Sequence, residues 1–152
     1  MPTPKKLRVF HLLHQAHSAL FRAADQTLRQ KEGITAAQHG VMLVLSVRDG
    51  VPISTIAEEL RMGKSSLTGL VDRMSKAGLV RRAPCADDGR VTRIYLEPAG
   101  RRLLERTAGH VKGYNEALLE PFSADERRTI HRFLSHVAEE ADAIVGGEAS
   151  TT

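Results

Sequence analysis

The chain has 152 residues, 41% hydrophobic and 26% charged, with 22 Lys and Arg against 18 Asp and Glu; this is one domain's worth of globular sequence and argues against wholesale disorder. No apolar run approaches the roughly 20 residues a membrane span needs, and the opening Met1-Pro2-Thr3-Pro4-Lys5-Lys6 has no signal-peptide core. A lone Cys85 excludes an intramolecular disulfide framework and fits a reducing cytoplasm.

Aromatic content is 4% and Trp is absent, so Leu, Val, Ile and Ala must build the core. Residues 7–30 place Val9, Phe10, Leu13, Ala16, Leu20, Ala24 and Leu28 at helical spacing, which predicts one buried stripe. Thr35-Ala36-Ala37-Gln38 reads as a capping box opening a helix through Val41 to Leu45, apolar on every side and ended by Asp49-Gly50 and Pro52. Ser54 is expected to cap a short helix over Thr55–Leu60. After Arg61-Met62-Gly63, a third helical run extends from Lys64 to Ala77, with Gly78 as its left-handed terminator. Leu67, Leu70, Val71 and Met74 share one face of it; Ser65, Gly69, Asp72 and Lys76 occupy the opposite face, with Ser66 and Arg73 at its edge.

Leu79–Ala83 and Thr92–Leu96 are short, partly alternating runs around a polar tip from Pro84 to Arg90, which predicts a β-hairpin. Pro98 suits the first turn of a helix carrying Leu103, Leu104, Ala108, Val111 and Leu118, broken at Pro121. Ser123-Ala124-Asp125-Glu126 is a second capping box, and Ile130 to Val145 form an apolar stripe beyond it. Residues 146–152 read as a flexible tail.

Charge is concentrated where the helices are shortest. Residues 61–95 hold eight cations (Arg61, Lys64, Arg73, Lys76, Arg81, Arg82, Arg90, Arg93) against three acids (Asp72, Asp87, Asp88), a balance of +5. A basic segment on a neutral-to-acidic scaffold suits phosphate binding. A short helix, a tight turn, a helix with a small polar face and a basic hairpin outline a winged helix-turn-helix. Ser65, Ser66 and Gly69 are short enough for close approach to base edges, and Thr68 lies on the same helix. The helix start at Gly63 offers free amides to a phosphate beside Lys64, and an arginine at the hairpin tip suits the minor groove. Asp72 reads as the partner of an arginine rather than a base reader. Arg81 and Arg82 suit either the wing surface or phosphate contact.

Residues 53–100 closely resemble the signature of the multiple-antibiotic-resistance regulator (MarR) family. The resemblance is carried by Ile53–Leu60, Ser65–Met74, Lys76–Arg82, and above all Asp88-Gly89-Arg90 followed by Leu96 and Gly100. The flanking helices agree over about residues 7–145. It implies a mainly α fold with a small β-hairpin wing, a winged helix-turn-helix plus a helical dimerisation region. Residues 7–34 and 98–145 would dimerise, and 35–97 would form the DNA-binding lobe. The implied function is that of a homodimeric repressor on a pseudo-palindromic operator, released by a small organic effector. The DNA-binding set is Lys64, Ser65, Ser66, Thr68, Gly69, Arg73, Lys76, Arg81, Arg82, Asp88, Arg90 and Arg93. The resemblance places an effector pocket near His14, His17, His39 and Val111. Three positions depart from the pattern: Arg61 in the turn, Gly63 at the helix cap, and Glu97 where a Thr closes the wing.

Two rival readings stay open: a metal-sensing regulator of the same fold, and a winged-helix protein–protein adaptor without DNA binding. His11, His14 and His17 recur at three-residue spacing, with His39 and His110 elsewhere, but no His-x-x-x-His pair or acidic cluster accompanies them. Asp87 and Asp88 are expected to raise the pKa of Cys85. No nucleophile–base motif, phosphate loop or carboxylate pair points to an enzyme, and no cofactor is implied.

Overall fold

In the computed structural model, which describes residues 6–147, the chain begins with α1 (Val9–Glu32), which contains no buried residue. Phe10 and Leu20 are 77% and 50% exposed, so the expected buried stripe is left uncovered within this chain. Only Leu28 packs against the core. The end of α1 is tied to α2 (Ala36–Val47) by Asp25, whose Oδ1 accepts from Ala36 N–H at 2.8 Å while Oδ2 accepts from Arg29 at 2.7 Å. Those two donors, the amide first, hold its carboxyl below the usual carboxylate range. The capping box at the start of α2 forms as the sequence predicts, Thr35 Oγ1 accepting from Gln38 N–H and Gln38 Oε1 from Thr35 N–H.

α2 is central on one side only. Val41, Met42 and Leu45 are fully buried, but Leu43 and Val47 are 48% and 89% exposed. The buried side packs with Ile56, Leu67, Val71, Met74, Val80 and Ile94 into one core. Around it stand α3 (Ile53–Leu60), α4 (Lys64–Lys76) and a three-stranded antiparallel sheet in the order β1 (Val51–Pro52), β3 (Thr92–Leu96), β2 (Val80–Pro84). The β2–β3 hairpin is the predicted wing, in register from Val80↔Leu96 to Pro84↔Thr92. The strand β1 was not expected. It also corrects the start of α3: pairing with Arg93 holds Pro52 extended, Pro52 becomes the N-cap, and Ser54 falls inside the first turn without capping it.

Gly78 adopts the left-handed conformation, φ +74°, that ends α4, and Leu79 N–H returns to Met74 O. Gly100, in α5 (Pro98–Leu119), is required for a different reason. A β-carbon there would lie 2.5 Å from the Leu79 carbonyl oxygen and 2.7 Å from Leu96, so this helix can meet the sheet only through a glycine.

The described chain divides into two compact units, the first ending at Thr107 and the second starting at Ala108. The second holds the end of α5 and α6 (Ala124–Gly146), opened by the predicted capping box, Ser123 Oγ with Glu126 N–H. No residue of α6 is buried. The expected tail lies outside the described residues from Glu148 onward.

Candidate nucleic-acid interface

The turn between α3 and α4 is narrow because Arg61 takes a left-handed conformation, φ 52° and ψ 44°. This is the position where the sequence departs from a small residue, and a side chain there is held in a strained region of backbone space. Gly63 then caps α4 in extended conformation without any side-chain bond, so the first amides of α4 are left without a capping acceptor. Lys64 stands beside them, exposed to solvent.

α4 is amphipathic as predicted. Leu67, Leu70, Val71 and Met74 are buried, while Ser65, Ser66, Asp72, Arg73 and Lys76 are exposed and Gly69 is half-buried. The nearest atom to a β-carbon built on Gly69 is Arg73 Nη1, at 3.6 Å. Thr68 turns its hydroxyl inward along the helix, donating to Lys64 O at 2.8 Å. Ser66 and Arg73 lie at the side of the helix, where with Phe21, Arg29, Met62 and Leu70 they line a cavity of about 340 Å³.

Three of the wing arginines are engaged inside the fold. Arg82 Nη2 meets Asp72 Oδ1 at 2.8 Å and Thr68 O at 3.2 Å, pinning the wing to α4. Asp72 is thus the arginine partner that the sequence suggests. Arg81 pairs with Glu97 at 3.2 Å and lies 4.3 Å over the Tyr95 ring, so Glu97, the departure from the family's Thr, has a local function in holding Arg81. Arg93 donates to Gly50 O at 2.7 Å and to Cys85 Sγ at 3.3 Å. The partners lie 10 and 14 residues away for Arg82 and 43 for the Arg93–Gly50 bond, so helical or strand periodicity does not announce them.

The wing tip is held by local bonds, and it corrects the expectation for Cys85. Asp88 accepts from the backbone N–H of Arg90 at 3.0 Å, and its carbonyl from Val91 N–H; it makes no ion pair with a guanidinium among the described residues. The short Asp-x-Arg spacing favours this local turn over a side-chain pair. The Cys85 thiol is pushed below its usual pKa, not above it. The Arg93 hydrogen bond is the main cause, and the backbone N–H groups of Asp88 and Asp87 add to it. Among the described residues, the side chains of Arg61, Lys64, Arg73, Lys76 and Arg90 make no ion pair or hydrogen bond.

The proposed pocket residues are distributed differently. His14 and His17 are exposed on α1, His17 stacked on Phe21 at 6.0 Å. His39 on α2 is partly buried, its Nε2 3.0 Å from Thr107 Oγ1, and burial lowers its pKa. The Thr107 hydroxyl also lies 3.0 Å from Leu104 O, so it sits between a ring nitrogen and a carbonyl. Val111 is 45% exposed in the second unit. None of the four lines the cavity beside α4. No three His, Cys, Asp or Glu among the described residues gather as ligands for a metal ion.

A family model described as MarR family matches residues 32–91. The transcriptional activatory protein BadR of Rhodopseudomonas palustris is 28% identical over 95% of this chain and 86% of its own length. The HTH-type transcriptional regulator PecS of Dickeya dadantii is 31% identical over 76% of this chain and 71% of its own. The crystal structure of the PcaV transcriptional regulator from Streptomyces coelicolor, in complex with its natural ligand, superposes with a TM-score of 0.70 at 26% identity, covering 93% of this chain and 99% of that one.

Proposed function

The chain belongs to the MarR family of transcriptional regulators, and from that premise we propose that it binds duplex DNA as a homodimer, with α4 in the major groove and Arg90 at the minor groove. The observation that carries this reading is the face of α4: Ser65 and Gly69 are short, and the unengaged cations Lys64, Lys76 and Arg90 stand around them on the helix and at the wing tip. Short side chains permit close approach, and free cations neutralise phosphates. Lys64, Ser65, Gly69, Lys76 and Arg90 carry the DNA contacts in this reading, with Arg73 and Ser66 at the margin. Arg81, Arg82 and Arg93 support the wing from within, and Asp88 shapes its tip.

The homodimer is supported by two long helices with no buried residue, α1 and α6, which expose Phe10, Phe21, Leu134, Ile144 and Val145. Apolar area on this scale on a regulator of this size calls for a partner. A symmetric pair of lobes would read a pseudo-palindromic site. In the cytoplasm, the regulator would repress its promoter until a small organic effector bound it. The PcaV regulator of Streptomyces coelicolor has been crystallised in complex with its natural ligand. The resemblance puts the effector near His14, His17, His39 and Val111; the cavity that joins Arg29 to Ser66 and Arg73 is the second place. Alanine at His17 against alanine at Arg29 separates the two in an effector titration.

The test is selection from random duplexes, followed by fluorescence-anisotropy titration of the selected duplex at several salt concentrations, with sedimentation to give the mass of the complex. A palindromic sequence bound by two chains, with affinity falling steeply in salt, is the expected result. A salt-insensitive complex, or no selected sequence, overturns the reading and favours the protein–protein adaptor. A promoter reporter then gives the sign of regulation, and activation would overturn repression.

A further inference from the structure

The foot of the wing carries a contact that neither the basic face nor the family signature explains. β1 pairs with β3 only at Val51↔Ile94 and Pro52↔Arg93, and Gly50 N–H closes that edge on Ile94 O at 3.0 Å. Past this point β3 has no neighbouring strand on the β1 side, and the Leu96 amide needs another acceptor. Asp49 supplies it. Its Oδ1 accepts from Leu96 N–H at 2.8 Å and from Gly50 N–H at 3.1 Å, and its Oδ2 accepts from Arg101 Nη2 at 3.0 Å. One carboxylate therefore joins the α2–β1 turn, the returning strand of the wing and the first turn of α5, across 47 and 52 residues of sequence. All three bonds to this group are charge-assisted, the stronger kind.

We propose that Asp49 is a positioning residue for DNA reading: it sets the direction in which the wing projects Arg90. The inference rests on the proposed contact between the wing tip and duplex DNA. Its force comes from leverage. At about 3.3 Å of rise per residue, Arg90 lies roughly 20 Å from the Leu96 anchor, so tilting the foot by about 5° carries the tip nearly 2 Å. A contact that needs placement within about 0.5 Å does not survive that displacement. The tip's own bonds stay within the hairpin, Asp88 with the Arg90 and Val91 amides and Cys85 N–H with Val91 O, and none ties the tip to another element.

The experiment is a double-mutant cycle on binding to the selected duplex, using Asp49→Ala, Arg90→Ala and the pair, with melting curves alongside. Arg90→Ala is expected to weaken binding about tenfold or more, and Asp49→Ala to reproduce most of that loss. The double variant is expected to bind no worse than Arg90→Ala alone, because a misdirected arginine and a missing one are equivalent. Both single variants should also lower the salt slope by about two contacts per dimer, one for each chain. Asp49→Asn keeps a neutral acceptor for the two amides while losing the pair with Arg101. It is expected to show a smaller loss that again disappears in the Arg90→Ala background, and it decides the matter should Asp49→Ala fail to fold. Wild-type binding by the Asp49 variants, or losses that multiply with that of Arg90→Ala, overturns the positioning role alone. Wild-type binding by Arg90→Ala overturns the wing as a DNA reader, and this inference with it.

Discussion

Gly69 offers a perturbation in which folding and DNA reading should move in opposite directions. It sits within α4, at a half-buried position on the face that carries Ser65. Glycine inside a helix is destabilising by about 0.8–1 kcal/mol relative to alanine. The β-carbon of Gly69→Ala would meet only Arg73 Nη1, at 3.6 Å, which is ordinary contact with the far end of a flexible side chain. The substitution should therefore stabilise the protein by close to the full propensity difference, raising Tm by about 3 °C for a chain of this length. On DNA the same methyl group lies where the helix approaches the groove. Inserting a methylene into a close-packed contact costs about 1–3 kcal/mol, which is about tenfold or more in affinity. Melting by circular dichroism at one fixed protein concentration, beside anisotropy titration of the selected duplex, reads both effects. A more stable variant that binds DNA as tightly as the native chain would refute the docking of this face. A less stable one would refute the local geometry.

Three further outcomes follow from particular contacts. Gly100→Ala should destabilise the fold by about 1–3 kcal/mol, because its methyl group would meet the Leu79 carbonyl at 2.5 Å; urea denaturation with an unchanged m-value checks it. His39 is held neutral by burial, its pKa below the ordinary 6.5, so the folded state binds fewer protons than the unfolded one. Stability is then present above that value and lost as pH falls from about 6.5 toward the lowered pKa, and His39→Gln should flatten this part of the pH–stability curve; an unaltered slope would sink the assignment. For Cys85, the pH midpoint of alkylation in the native protein should lie below that of the denatured chain, and Arg93→Ala should raise it, since the Arg93 hydrogen bond is the largest cause of the shift.

What could be read from the sequence was what is written within a few residues. The capping boxes at Thr35 and Ser123, the terminator at Gly78 and the amphipathic face of α4 all rest on contacts three to five positions apart, and all appear in the structure. The strand β1 was hidden because two residues, one of them proline, carry no alternation, and their partners are Ile94 and Arg93, far along the chain. The hub at Asp49 was hidden for the same reason: Asp49-Gly50 reads as a turn, and nothing nearby announces Leu96 or Arg101 as partners. Ser54 has the chemistry of a cap, but the pairing that holds Pro52 extended moves the helix start two residues ahead of it, and no local pattern signals that pairing. The direction of the Cys85 shift is likewise not legible from the charges of Asp87 and Asp88, because Arg93 first and then their backbone amides act on the sulfur.

The wing arginines bear on how binding should respond to salt. Counted from sequence, residues 61–95 present eight cations per chain, and a dimer using all of them would release counterions from sixteen contacts, a slope of about −14 at 0.9 per contact. Arg81, Arg82 and Arg93 are held by Glu97, Asp72 and the Gly50 carbonyl. Drawing them onto phosphates would break the bonds that fasten the wing to α4 and to β1. Arg73 lines the cavity at the side of α4. The cations without an internal partner are Arg61, Lys64, Arg73, Lys76 and Arg90, ten per dimer at most, which limits the slope to about −9. A measured slope near that limit or shallower fits a wing whose arginines are structural except at the tip. A slope near the sequence count would mean that the internal pairs exchange their partners for DNA, and the rigid wing on which Asp49 acts would not exist in the complex.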